Sequence, residues 1–182
     1  MPPPTGDTYN VDWVVSSTSS CCIATSREWF KNYTPFPTSI GHTASDVIGD
    51  VLGVGDVELE IRRFATAAAA AARPKGSKNS TKIVLKDVLY APTYVCNVAG
   101  TQLFQKYDVS FGADAMILRR DTQELVGLID RPKLPKLLLK GQSKGATSLN
   151  RHQEYTINAT WSDAERERWQ VHMQTQNADK KT

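Results

Sequence analysis

The chain has 182 residues, of which 40% are hydrophobic and 23% are charged, and its formal net charge is +3. This length and composition are typical of one folded domain and exclude a wholly disordered chain, and the sequence has no apolar stretch long enough to span a bilayer. A charge this small does not by itself indicate a nucleic-acid-binding protein.

The N-terminal residues 1–10, MPPPTGDTYN, are predicted to be disordered and contain no cationic segment followed by an apolar one. We therefore expect an intracellular protein, cytoplasmic or nuclear. The three cysteines, Cys21, Cys22 and Cys96, have no C-x-x-C spacing. They are predicted to be buried thiols rather than disulfide or zinc-binding residues, and no cofactor or metal site is expected.

Residues 11–140 carry the pattern of a β-rich domain. Short apolar or β-branched runs alternate with Gly, Pro, Asn and Asp, which is typical of an all-β barrel or sandwich. Within VELEIRR, Val57, Leu59 and Ile61 alternate with charged residues, which predicts a strand with one wet face. In chain order, the predicted strands lie in residues 11–15, 50–63, 82–92, 107–112, 115–120, 124–130 and 133–141.

Helices are expected at three places. Residues 99–106 (AGTQLFQK) lack strand alternation and predict a short helix, and Ser26 is a candidate N-cap for a helical turn. Residues 141–182 lose the β-pattern and are predicted to be a linker followed by an appended C-terminal helix. Ser162 and Glu165 have the spacing of a capping box at the start of that helix.

The segment 63–82 interrupts the strands with an alanine run followed by basic residues. It contains no Asp or Glu. We interpret it as a long basic hairpin insertion. Its basic side chains could contact nucleic-acid phosphates, although a solvated loop is the interpretation that we favour, because aromatic residues for base stacking are not interleaved with them. The candidate residues are Arg73, Lys75, Lys78 and Lys82.

Several blocks occur in a specific order. An apolar strand containing Trp13 leads into residues 16–20, and the later blocks are VLGVGDVEL (51–59), LKDVLYAP (85–92) and CNVAGTQLFQKYDVSF (96–111). Over about residues 12–140 these blocks resemble the retropepsin-like β-barrel domain of copia-type retrotransposon Pol polyproteins, which has the aspartic-protease fold. The resemblance implies a closed barrel with one or two short helices.

In active members of that family the opening strand delivers an Asp-Ser/Thr-Gly triplet, and two such loops bring two carboxylates together in a dimer. The resemblance puts Ser16 on the aspartate position, Ser17 on the Ser/Thr position and Thr18 on the glycine position. It also puts Cys22 where the family often has histidine. A serine hydroxyl is too weak a base to activate water, so no catalytic residue is predicted here. A new serine nucleophile is not favoured either, because none of the three histidines lies in a motif with this loop.

The sequence therefore predicts a catalytically inactive retropepsin-like domain, a pseudo-protease that keeps at most a scaffold or binding role or is a transposon remnant without function. The expected partners are a second copy of the chain, a protein or peptide in the former substrate groove, or nucleic acid, and no membrane. One alternative is an aspartic endopeptidase that processes a retrotransposon polyprotein with its missing acid supplied by a partner chain. Another is a nucleic-acid-binding module that uses the basic hairpin.

Overall fold

The structure is a computed structural model that describes residues 4–42, 45–64, 72, 78–112 and 114–179. The described part of the chain is mostly β, and no helix in it is both long enough and apolar enough to cross a membrane. The strands are β1 Trp13–Val15, β2 Ile23–Ala24, β3 Phe30–His42, β4 Ser45–Arg62, β5 Ser80–Tyr90, β6 Asn97–Ala99, β7 Tyr107–Ser110, β8 Met116–Arg119, β9 Leu125–Asp130, β10 Lys136–Leu137 and β11 Ala159–Thr160. The helices are α1 Gly6–Asn10, α2 Thr101–Lys106 and α3 Asp163–Asp179, with a 3₁₀ turn at Arg27–Trp29.

The eleven strands form one mixed sheet in the order β11-β3-β4-β5-β2-β6-β1-β10-β9-β8-β7. Strand β1 is an interior strand, parallel to β6 and antiparallel to β10. All three of its residues are buried, as expected for a strand that is covered on both faces. Trp13 and Val15 pack in one apolar cluster and Val14 packs in the other.

The expectation of a closed barrel was wrong, because the sheet is a curled half-barrel. Its two edge strands, β11 and β7, lie at opposite ends of the strand order and do not pair with each other. The curl brings β4 to the chain just after β10, where Ile61 forms an isolated bridge with Leu139 and Arg62 N–H donates to the Leu138 carbonyl at 2.8 Å. A closed barrel needs a continuous ladder around its circumference, and this short contact does not supply one.

The predicted strands and short helices are present, with differences at the margins. In β4 the alternation is as expected: Val57, Leu59 and Ile61 are buried, whereas Glu58 and Glu60 form ion pairs on the outer face. The Ser26 hydroxyl caps the 3₁₀ turn by accepting from Glu28 N–H. Strands β2, β3, β6 and β11 were not predicted from the sequence.

Both ends of the described chain pack against the sheet. Residues 6–10 fall in the segment expected to be disordered, yet they form α1, and its Tyr9 ring stacks on Trp29 with centroids 5.7 Å apart. Helix α3 is present where a C-terminal helix was predicted. Trp161, which precedes it, and Trp169, which lies within it, are 3% and 6% exposed and belong to the second apolar cluster. Trp161 and helix α3 therefore pack into the core instead of forming a separate appendage.

Candidate functional site: the loop after strand β1

The candidate site is residues 16–20, called the 16–20 loop below, which follow β1 directly. Ser16 and Ser19 are buried, with exposed fractions of 7% and 0%, while Ser17 and Thr18 are exposed. The loop begins at a fixed place in the sheet, because Ser16 N–H donates to the Ala99 carbonyl of β6 at 3.0 Å. It is held from below by Thr101 N–H, which donates to the Ser19 carbonyl at 2.9 Å.

The hydroxyls of the loop converge on one backbone carbonyl from the distant C-terminal part of the chain. Ser16 Oγ donates to the Ile157 carbonyl at 2.6 Å, and Thr18 Oγ1 and Ser19 Oγ lie 3.2 and 3.3 Å from the same oxygen. Ser16 Oγ also accepts from Ser19 Oγ at 2.9 Å and from Ser19 N–H at 3.2 Å. These partners orient the Ser16 hydroxyl as a donor toward Ile157, and none of them is a base.

Residues 157–161, called segment 157–161 below, continue along the loop. Ser20 N–H donates to the Ala159 carbonyl at 2.9 Å, and Trp161 N–H donates to Ser20 Oγ at 3.1 Å. The Arg166 guanidinium of α3 donates to both the Ser20 carbonyl and the Ser20 hydroxyl. Segment 157–161 and Arg166 therefore cover one side of the 16–20 loop.

Cys21 and Cys22 continue the chain behind the loop and are unsuited to reaction. Burial raises the pKa of the Cys21 thiol to about 12, and the neighbouring Cys22 adds to this effect. Burial also raises the pKa of Cys22 to about 11, while the Gly100 N–H, which donates to its sulfur, partly opposes the shift. A nucleophilic cysteine requires the opposite shift. The prediction of buried thiols is confirmed for these two residues and for Cys96.

A shallow cleft of about 280 Å³ lies beside the loop and is lined in part by Thr18, Phe111, Leu134 and Ile157. This volume is slightly below the range of about 300–1,000 Å³ that is common for small-molecule sites. Among the described residues, no group of three or more His, Cys, Asp or Glu side chains is arranged to hold a metal ion.

The four basic residues predicted to contact nucleic acid differ in their surroundings. Arg73 and Lys75 lie outside the described residues. Lys78 is exposed, and Lys82 is engaged in an ion pair with Glu58 at 2.8 Å. Glu58 also pairs with Lys31 at 2.6 Å, and hydrogen bonds from Lys31 first and Lys82 second lower the pKa of this carboxyl. The outer face of β3, β4 and β5 therefore has compensated charge at these positions rather than a basic patch.

Sequence reasoning placed the loop but missed what binds it. Ile157, Ala159 and Arg166 contribute most of the contacts, yet they lie about 140 residues away along the chain. The capping box at Ser162 and Glu165 was detectable, and Glu165 N–H does donate to Ser162 Oγ at 3.3 Å. That signal locates the start of α3, but it does not say where the helix packs.

Comparison with known proteins found no matching family model, no similar curated protein and no similar solved structure.

Proposed function

We propose that this chain is a catalytically inactive retropepsin-like domain, derived from a copia-type retrotransposon polyprotein, that acts through binding rather than through peptide hydrolysis. The observation that carries the proposal is the hydrogen bond of 2.6 Å from Ser16 Oγ to the Ile157 carbonyl. On the proposed alignment a catalytic aspartate would stand at this position. A donor hydroxyl that is already bonded to the protein's own backbone neither shares a proton with a second acid nor activates water.

The order of the elements supports the retropepsin-like part of the proposal. The opening strand β1 is buried and is followed by the 16–20 loop, as the resemblance implies. The DVLY residues lie at the end of β5, where Leu89 and Tyr90 pair in parallel with β2. The CNVAG residues include β6, which pairs in parallel with β1, and α2 follows immediately.

The enzyme alternative receives less support from the geometry. An aspartic endopeptidase with its acid supplied by a partner chain needs the 16–20 loop to face that partner. Instead, Ser16, Ser19 and Ser20 are bonded to segment 157–161 of the same chain. General acid–base groups each contribute about 10²–10⁴ to rate, so a pair of 16–20 loops that both lack the carboxylate is expected to be inactive.

The nucleic-acid alternative also receives little support from the described residues. Lys82 and Lys31 share the Glu58 carboxylate, and Lys86 pairs with Asp56 at 2.6 Å. Phosphate binding at these lysines would have to compete with carboxylates that they already contact.

A cleavage assay tests the proposal. Purified protein is incubated with an unstructured peptide library at several pH values between about 2 and 7, a span that covers the range in which a pair of catalytic carboxylates shares one proton, with and without pepstatin. We expect no cleavage that pepstatin suppresses. The matched control is Ser16→Ala, purified in the same way, which reports any contaminating protease. Cleavage that pepstatin abolishes and that Ser16→Ala lacks would overturn the proposal.

A further inference from the structure

The contacts between the 16–20 loop and segment 157–161 use the backbone of the segment. The Ile157 carbonyl accepts from Ser16 Oγ, the Ala159 N–H donates to Ser19 Oγ at 3.1 Å, and the Trp161 N–H donates to Ser20 Oγ at 3.1 Å. Loop hydroxyls thus bind successive main-chain groups of an extended strand. Strand addition to a sheet edge likewise obtains affinity from hydrogen bonds to the main chain of the added segment, although here the loop contributes side-chain hydroxyls.

The side chains of the segment supply the apolar part of the contact. Ala159 is fully buried, and Trp161 is 3% exposed with its indole N–H donating to Thr38 Oγ1 at 3.1 Å. Ala159 and Thr160 form β11, which pairs with β3 at Gly41 and His42. This surface therefore accommodates a small residue and a tryptophan that are separated by one residue along an extended chain.

We propose that the 16–20 loop is a docking site for an extended peptide backbone, that segment 157–161 occupies it in cis, and that the Ser16 hydroxyl stabilises this docking. The proposal rests on the proposed function only in taking position 16 as the place of the lost aspartate. In this proposal the serine at position 16 has a structural role of its own, because its hydroxyl supplies the hydrogen-bond donor for the Ile157 carbonyl.

The physical reason is that a carboxylate is an acceptor without a proton to donate. An aspartate at position 16 would place negative charge against the Ile157 carbonyl oxygen, which now lies 2.6 Å from a donor. The hydrogen bond would be lost, and the two acceptors would repel each other in a part-buried site where water screens poorly. An ionised aspartate at position 16 therefore weakens the docking of segment 157–161, although the contacts of Ser19 and Ser20 with the segment remain.

Amide hydrogen exchange in full-length variants tests this inference. Ser16→Asp and Ser16→Asn have the same size, but only asparagine retains N–H donors and has no charge. We expect the Ala159 and Trp161 amides to exchange about tenfold or more faster in Ser16→Asp than in Ser16→Asn, because loss of a buried hydrogen bond shifts a local opening equilibrium by that order. Ser143→Asp adds one charge at an exposed linker position and should leave both amides at the wild-type rate.

The amide of Leu59 in the core of β4 reports whether each variant remains folded. If Ser16→Asp does not fold, Ser16→Ala takes its place, since alanine also lacks the donor, and the same ordering relative to Ser16→Asn is expected. Equal exchange in the donor-containing and donor-lacking variants would overturn the inference. That result would leave the proposed function untouched, whereas pepstatin-sensitive cleavage that Ser16→Ala lacks would overturn the proposed function without altering the exchange ordering.

Discussion

At the scale of single residues, the chemistry of this chain is set by what its polar groups are bonded to. Ser16 lies at the end of a buried strand, but its hydroxyl donates to a backbone carbonyl. The charged pair Asp12 and Lys136 is also buried, with both side chains 2% exposed and 2.7 Å between Oδ1 and Nζ. The second Asp12 oxygen accepts from the Thr147 hydroxyl. These buried polar groups therefore link segments that lie far apart along the chain.

The three thiols give a prediction at this scale. Burial raises the pKa of Cys21 and of Cys96 to about 12 and that of Cys22 to about 11, from an ordinary value of 9.0. The folded state therefore keeps the thiols protonated at pH 9.0, where an unfolded chain is half ionised. We expect native protein at that pH to be almost unreactive toward a thiol reagent. Protein in denaturant should react at all three cysteines, as absorbance of the released chromophore would show.

The raised pKa values of the thiols also make the stability of the folded state depend on pH. Because the folded pKa values are raised, the thiols destabilise the folded state only as pH rises above about 9, and their effect increases toward the folded values. Rapid stoichiometric labelling of any one thiol in native protein at pH 9.0 would contradict the burial of that thiol.

At the scale of elements, the sequence predicted the strands that lie in clear apolar or alternating runs and missed four others. The alternation of Val57, Leu59 and Ile61 located β4, because one face of that strand is buried and the other carries charge. Strand β3 was missed because Pro35 and Pro37 lie within it, and proline argues against a strand interior. The pairing with β4 shifts register between Pro35 and Thr38, so the prolines lie at an irregularity where a missing N–H is tolerated. Strands β2, β6 and β11 are two or three residues long, too short for a period to appear, whereas the equally short β1 and β10 were predicted from the longer apolar runs at residues 11–15 and 133–141.

The junction of β6 and α2 gives a prediction at this scale. A Cβ on Gly100 would lie 2.2 Å from the Cys21 carbonyl oxygen and 2.6 Å from that of Ser19, and both are backbone atoms that cannot move aside cheaply. Gly100→Ala should therefore lower the free energy of unfolding by at least about 2 kcal/mol, as overpacking of a close backbone contact does. Denaturant unfolding measures this change.

Gly112→Ala is the matched control, because the nearest atom to its new Cβ is the Ser110 hydroxyl at 3.7 Å. The control should stay within about 0.5 kcal/mol of wild type, as is usual for surface changes. Equal stability of the two variants would mean that the approach of β6 to the 16–20 loop is looser than described.

At the scale of the whole molecule, the sheet is open and the C-terminal unit completes its core. The closed barrel implied by the resemblance did not form, since β7 and β11 are separate edges. Trp161 and Trp169 instead bring segment 157–161 and α3 against the second apolar cluster. Sequence alone could not predict this packing. The capping box at Ser162 and Glu165 indicated a helix, but the surface against which it packs is assembled from β3, β5 and the 16–20 loop, which lie far apart along the chain.

The mass of the protein in solution tests the central claim that the 16–20 loop is covered in cis and is not half of a shared catalytic site. Light scattering coupled to size exclusion should give a single species of 20.1 kDa that does not change with concentration. A stable species of about twice that mass in which a Ser17→Cys substitution cross-links the two copies under mild oxidation would contradict the account, because the exposed position 17 of the two 16–20 loops would then lie side by side.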